Sequence, residues 1–117
     1  MDFAFVYDEE SDVLSIFNSN HQPSESVEFS ENLILDIDKN ECVVGLQILD
    51  ASDFFSSINE QIDKKFLEEL EDVQLSSKEF RNNWYIILFL KSKGRKVVQQ
   101  PMPLLRKSEY KSPLLCG

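Results

Sequence analysis

The stretch "LILDIDKNECVVGLQILDASDFF", residues 33–55, decides the fold. Leu33, Leu35 and Ile37 alternate with Ile34, Asp36 and Asp38. A period of two sets one row against a core and the other toward water, which is a strand. "KNE", 39–41, is turn chemistry, with Asn40 suited to a left-handed backbone. "CVVGLQIL", 42–49, is the returning strand. Asp36 and Asp38 are thus expected to point the same way at the end of one strand of a hairpin. "DASDFF", 50–55, ends the sheet and starts a helix. Asp50 or Ser52 can cap it, and Asp53 falls near the positive end of its dipole. A hairpin that runs into a helix predicts an α+β fold, mostly antiparallel.

Upstream, "FAFVY" (3–7) and "DVLSIFN" (12–18) read as strands joined by the acidic tip "DEES". "SNHQPSES" (19–26) is a polar loop containing Pro23. The N-terminal part is therefore a meander of four or five strands. Downstream, Ile58, Ile62, Phe66 and Leu70 recur every four residues with Leu67 beside them, and charged residues take the opposite face. This predicts one amphipathic, core-facing helix over 56–71, which Ser56, Ser57 and Asn59 could break in two. About three further antiparallel strands follow. "DVQLSSKEF" (72–80) alternates loosely and "RNN" is a turn. "WYIILFL" (84–90) is apolar on both faces, as a central strand is. "KSKGR", with Gly94, turns the chain again. In "KVVQQPMPLL", Pro101 and Pro103 end the strand or put it at a sheet edge. The 117 residues thus read as a single domain: a β meander over 1–55, a helix over 56–71, a second meander over 72–105 and a basic tail over 106–117.

Charge is unevenly distributed along the chain, whose net charge is −9. Residues 1–50 carry twelve acids and one lysine, whereas residues 76–117 carry two acids and nine lysines or arginines. The plainer reading is attraction between the two halves within one fold; the sharper one is an anionic partner for the basic end. Met1-Asp2 has no basic region, so no secretory leader is expected. The longest apolar run is seven residues, far short of the roughly 20 that a membrane helix needs. Cys42 and Cys116 belong to no metal or redox spacing and read as free thiols of a cytoplasmic protein, Cys42 half-buried and Cys116 exposed.

"YDEESD", 7–12, packs four acids into six residues and invites a metal or catalytic reading. Neighbouring strand residues point to opposite faces, so Asp8, Glu9, Glu10 and Asp12 cannot all converge on one ion, even if Asp36 and Asp38 joined them. "DIDKNE" starts like a calcium loop but has Glu41 and Gln47 where glycine and glutamate are required. His21, the only histidine, lies in a polar loop. Zinc ligands, nucleophile triads and phosphate-binding glycine loops are missing. Hence no catalytic, cofactor-binding or metal residue is assigned, and no cofactor is expected. The acids are read as a hairpin turn. Lys91, Lys93, Arg95, Lys96, Arg106, Lys107 and Lys111, with Trp84, Tyr85 and Tyr110, form the basic and aromatic mix that single strands favour. The strong net negative charge opposes nucleic acid, which is the less favoured partner.

"YDEESDVLSI" (7–16) followed by "LILDIDKNECVVGLQILDAS" (33–52) resembles the prokaryotic family called domain of unknown function 2283. Members of that family read Y-D-x-E-x-D-x-L-x-I, then V-x-D-x-D-x-x-G-x-V-V-G-I-E-I-L-x-A-S. The resemblance covers about residues 3–55 and departs at two places: the turn glycine is Glu41 or its neighbour, and the acid of G-I-E-I-L is Gln47. It implies a small β-rich domain, no established activity and, through neighbouring toxin-like genes, an antitoxin-like partner role. The expectation is a non-enzymatic, cytoplasmic protein-interaction module with a protein partner or a second copy. The dimer contact is expected at the strand around Ile86 and Leu88 or at its neighbour around Val97. The alternatives are an acidic-face metal- or substrate-binding enzyme and a nucleic-acid binder using the basic end.

Overall fold

A computed structural model describes residues 3–20, 22–40, 42–80, 83–102, 105–106 and 114–115; of residues 42, 77–80, 83–85, 105–106 and 114–115 it describes the backbone alone. The chain is α+β, with two antiparallel sheets and short helices between them. The first sheet holds β1 (Ala4–Asp8), β2 (Val13–Phe17), β3 (Glu25–Glu28), β4 (Leu33–Ile37) and β5 (Cys42–Ile48). Its order is β1-β2-β5-β4-β3. The β1–β2 hairpin therefore docks on the far side of the β3–β4–β5 meander. Register sets the faces. Leu14 pairs with Ile48, and Ile48 with Leu33; Ile16 pairs with Leu46, and Leu46 with Leu35. All six are buried. A bulge falls between Asp36 and Ile37, where the β4–β5 register shifts. Asn40 is not left-handed: among the described residues the non-glycine positive φ angles belong to Asp12 and Asp50. Instead the Asn40 N–H donates to Asp38 Oδ1 at 2.8 Å, so the turn is closed by a side chain.

The helical segment is two helices and not one. α1 spans Ala51–Ile58 and α2 spans Lys64–Glu68. Asn59 separates them: its backbone is extended, and its side-chain oxygen accepts from Gln61 N–H at 3.0 Å. α2 is capped by Asp63, whose side chain accepts from Phe66 N–H at 2.8 Å. The four-residue stripe is accordingly split. Ile62 is buried between the helices, Phe66 is buried in α2, Leu70 already opens a strand, and Ile58 is 45% exposed. Ala51 and Phe55, both fully buried, anchor α1 instead.

The second sheet has the order β6 (Leu70–Phe80), β7 (Asn83–Ser92), β8 (Val98–Pro101). β9 (Leu105–Arg106) pairs with the start of β7. The apolar run 84–90 is central, as its composition predicts. Ile86, Leu88 and Leu90 are buried, while Ile87 and Phe89 are half-buried. Pro101 closes β8 at the sheet edge, where its missing N–H breaks no ladder. Gly94 turns the chain at φ 72°. Part of the tail joins the first sheet: β10 (Leu114–Leu115) runs parallel to Cys42–Val43 of β5. One hydrophobic core draws on both sheets and both helices, from Phe3, Leu14 and Ile48 through Phe55 and Phe66 to Val73, Leu88 and Met102. The side chains of Ile86 and Leu88 lie inside it, while Ile87 and Phe89 on the other face of β7 are half-buried and Val97 on the neighbouring segment is 55% exposed.

Candidate functional site

The acidic tip is a turn and a helix cap. Asp8 ends β1, and its Oδ1 accepts from Glu10 N–H at 3.0 Å and Ser11 N–H at 3.4 Å. The Ser11 hydroxyl and these N–H groups hold its carboxyl below the ordinary range. Glu9 and Glu10 are exposed at the tip. Asp12 turns the other way, with φ 58°. Its Oδ1 accepts from the Tyr7 hydroxyl at 2.5 Å and from Ser52 N–H at 3.1 Å, and its Oδ2 accepts from the Ser52 hydroxyl at 2.7 Å. Ala51 N–H donates to the Asp12 carbonyl at 2.8 Å. The tip of the first hairpin thus supplies the acceptors for the first turn of α1. Asp50, at the N-cap position of the helix, makes no side-chain capping bond. Neither Asp50 nor Ser52 caps the helix as the sequence suggested: Ser52 is a donor to the cap, which is Asp12.

Charge follows from this geometry. Burial raises the Asp12 carboxyl, but the Ser52 hydroxyl, the Tyr7 hydroxyl, Ser52 N–H and Lys64 outweigh it, and the net shift is downward. Burial, then the hydrogen bond to Asp12 and the negative charge there, push the Tyr7 hydroxyl well above its ordinary 10.0. The pair is therefore a locked phenol against a locked carboxylate. Across neutral pH the phenol keeps its proton and the carboxylate its charge.

A second polar group lies on the outer face of the first sheet. Residues alternate there in two rows, Ala4–Phe17–Gly45–Asp36–Ser26 and Val6–Ser15–Gln47–Ile34–Glu28, each read straight across the strands. Ser26 Oγ donates to Asp36 Oδ1 at 2.7 Å, and Gln47 Nε2 donates to both Asp36 oxygens at 3.1 and 3.2 Å. Gly45 is required here. A Cβ on it would meet Asp36 Oδ2 at 2.9 Å and the Ile16 carbonyl at 3.0 Å, so the Asp36 carboxylate leans over bare backbone. Gln47 stands where the resembling family carries an acid. Its amide clamps Asp36, which a carboxylate could not do. Asp36 and Asp38 are not a pair. Asp36 works on this face, whereas Asp38 is buried in the turn beyond β4 and accepts from Asn40.

The other sequence candidates fall elsewhere. Among the described residues, no group of three His, Cys, Asp or Glu side chains could hold a metal ion. An open groove of about 400 Å³ lies between Asn20, Gln22, Pro23 and Ser24 on one side and the turn at 38–40 on the other, and its walls mix polar with apolar surface. His21, Cys116, Lys107, Tyr110, Lys111 and the side chains of Cys42, Trp84, Tyr85 and Arg106 lie outside the described residues. Of the remaining basic residues, Lys91 donates to the Ser92 carbonyl at 2.7 Å and stands 3.8 Å from Glu71. Arg95 sits over the Phe66 ring, 5.6 Å from its centre. No helix among the described residues is long and apolar enough to cross a membrane.

The sequence reading missed the open face. Its signal was present in the alternation of β2. Leu14 and Ile16 point inward, so Phe17, one residue on, points out.

Residues 4–52 match the model of the family described as "Protein of unknown function (DUF2283)", the family that the motifs at 7–16 and 33–52 resemble. No curated protein and no solved structure matches the chain.

Proposed function

We propose that the chain is a non-enzymatic protein-interaction module, and that a partner covers the outer face of its first sheet. The observation that carries this reading is the exposure of Val6 and Phe17, at 57% and 39%. They are diagonal neighbours on the edge hairpin, since Val6 pairs with Ser15 and Ala4 with Phe17. Taking each from half exposure to full burial contributes about 1 kcal/mol. Val13, half-buried on the same face of the hairpin, extends the same apolar surface. The acids at the tip, by contrast, have scaffold duties. Asp8 closes the turn and Asp12 caps α1, which supports a structural reading of both. An antitoxin-like role is the form of this reading that the family resemblance implies.

Affinity capture from the native host tests it, comparing the wild-type chain with a Val6→Glu/Phe17→Glu double variant of unchanged circular dichroism. A partner held in stoichiometric amount by the wild type and lost by the variant supports the reading. Elution of the wild type alone, or the same partner on both, refutes it.

A further inference from the structure

We infer that the outer sheet face takes a cationic partner segment, anchored by an arginine that lies against Phe17 and pairs with Asp36. This rests on the interaction-module reading and adds the chemistry of the partner. The argument begins with charge. Residues 1–38 contain neither lysine nor arginine, and β5 adds none, so the five strands present an anionic face. Asp8 stands beside Val6 on the edge strand, Asp36 lies two strands across from Phe17, and Glu28 stands on the opposite edge of the same face. A symmetric second copy docked face to face would bring two anionic faces together, at a cost. A basic partner with apolar residues between its cations matches both features.

Asp36 supplies the anchor point. Its carboxylate is held by neutral donors, the Ser26 hydroxyl and the Gln47 amide, which orient it without cancelling its charge. Among the described residues no cation pairs with it. Gly45 lies between Asp36 and Phe17 in the same cross-strand row and has no side chain to separate them. A planar guanidinium can therefore stack on the Phe17 ring and still reach the carboxylate with its N–H fork. An ammonium offers neither the plane nor the fork.

Three labelled synthetic peptides of equal length test this, alternating leucine with arginine, lysine or glutamate, by fluorescence anisotropy on the full chain. The arginine peptide is expected to bind, the lysine peptide about fivefold more weakly and the glutamate peptide not at all. Asp36→Asn should weaken the arginine peptide at least tenfold, on the scale of a lost charge-assisted bond. Phe17→Leu, which keeps apolar bulk, should erase the preference for arginine over lysine. Asp53→Asn, an exposed acid on α1, should change nothing. Equal losses from Asp36→Asn and Asp53→Asn would overturn the inference, as would tighter binding of the glutamate peptide. An assembly that grows with concentration in light scattering, through a second copy's basic turn, would overturn it too. Should the native partner be captured through Val6 and Phe17 yet prove acidic there, the interaction module stands and the arginine anchor falls.

Discussion

Asp12 is the residue whose replacement separates most cleanly what the acidic tip does. Its carboxylate accepts from Ser52 N–H, the Ser52 hydroxyl and the Tyr7 hydroxyl, while its backbone holds a left-handed φ of 58°. Asp12→Ala loses the helix cap, about 1 kcal/mol. It strands the Tyr7 hydroxyl, about another 1 kcal/mol. It also puts a Cβ without local hydrogen bonding into the left-handed region, at about 1 kcal/mol. The total is about 3 kcal/mol. Asp12→Gly escapes the backbone cost and should lose about 2 kcal/mol. Asp12→Asn keeps one acceptor oxygen and tolerates the backbone, so about 1 kcal/mol is expected. Urea denaturation followed by circular dichroism gives the three values at constant m. The ranking Ala worse than Gly is the diagnostic part, because at an ordinary β position glycine is the worse residue. Equal losses for alanine, glycine and asparagine would refute the cap and leave the tip as a solvated turn.

Four further outcomes follow from the same contacts. Tyr7 is held protonated in the fold, so its stabilisation is complete below pH 10.0 and is lost as pH rises beyond it. Tyr7→Phe should start lower and flatten that alkaline decline, as read from melting temperature against pH. Gly45→Ala forces a Cβ to 3.0 Å from the Ile16 carbonyl, which the ladder holds in place, and should cost about 1–3 kcal/mol in urea. Phe66, 1% exposed, sits where the helices meet the second sheet, and Phe66→Ala should cost about 3–5 kcal/mol in the same assay. Titration calorimetry with Ca²⁺, Mg²⁺ and Mn²⁺ should give no binding tighter than about millimolar, against the roughly micromolar sites that converging carboxylates build; a tighter site lost on Asp8→Asn would restore the metal reading.

Local periodicity made most of the fold legible. The alternation of 33–36, the apolar run 84–90 and the turn at Gly94 depend on neighbours in sequence and were found where they were expected, whereas the alternation expected to run on to Asp38 breaks at the bulge, beyond which Ile37 is half-buried and Asp38 buried. The helix was misread because the fourfold stripe from Ile58 to Leu70 mixes three environments: an exposed helix end, a buried linker and a strand start. A spacing of four is satisfied equally by residues that meet only in the tertiary fold. The role of Asp12 was out of reach for a related reason. Its partner Ser52 is forty residues away, and no spacing rule reaches that far. The need for Gly45 likewise depends on cross-strand register, which sets Asp36 opposite it only once the bulge is placed.

The cap from Asp12 to α1 also bears on the order in which the chain folds. An eight-residue helix is marginal in water, and this one has no side-chain cap from its own N-cap residue. Its first donors are met by a hairpin tip that must already be formed and docked beside β5. Closing that forty-residue loop costs about 3 kcal/mol of chain entropy before the helix gains anything. The hairpin is therefore expected to act as a template, with α1 forming late. In stopped-flow refolding, the helical signal should lag behind sheet formation, and slowing the hairpin should slow the helix with it.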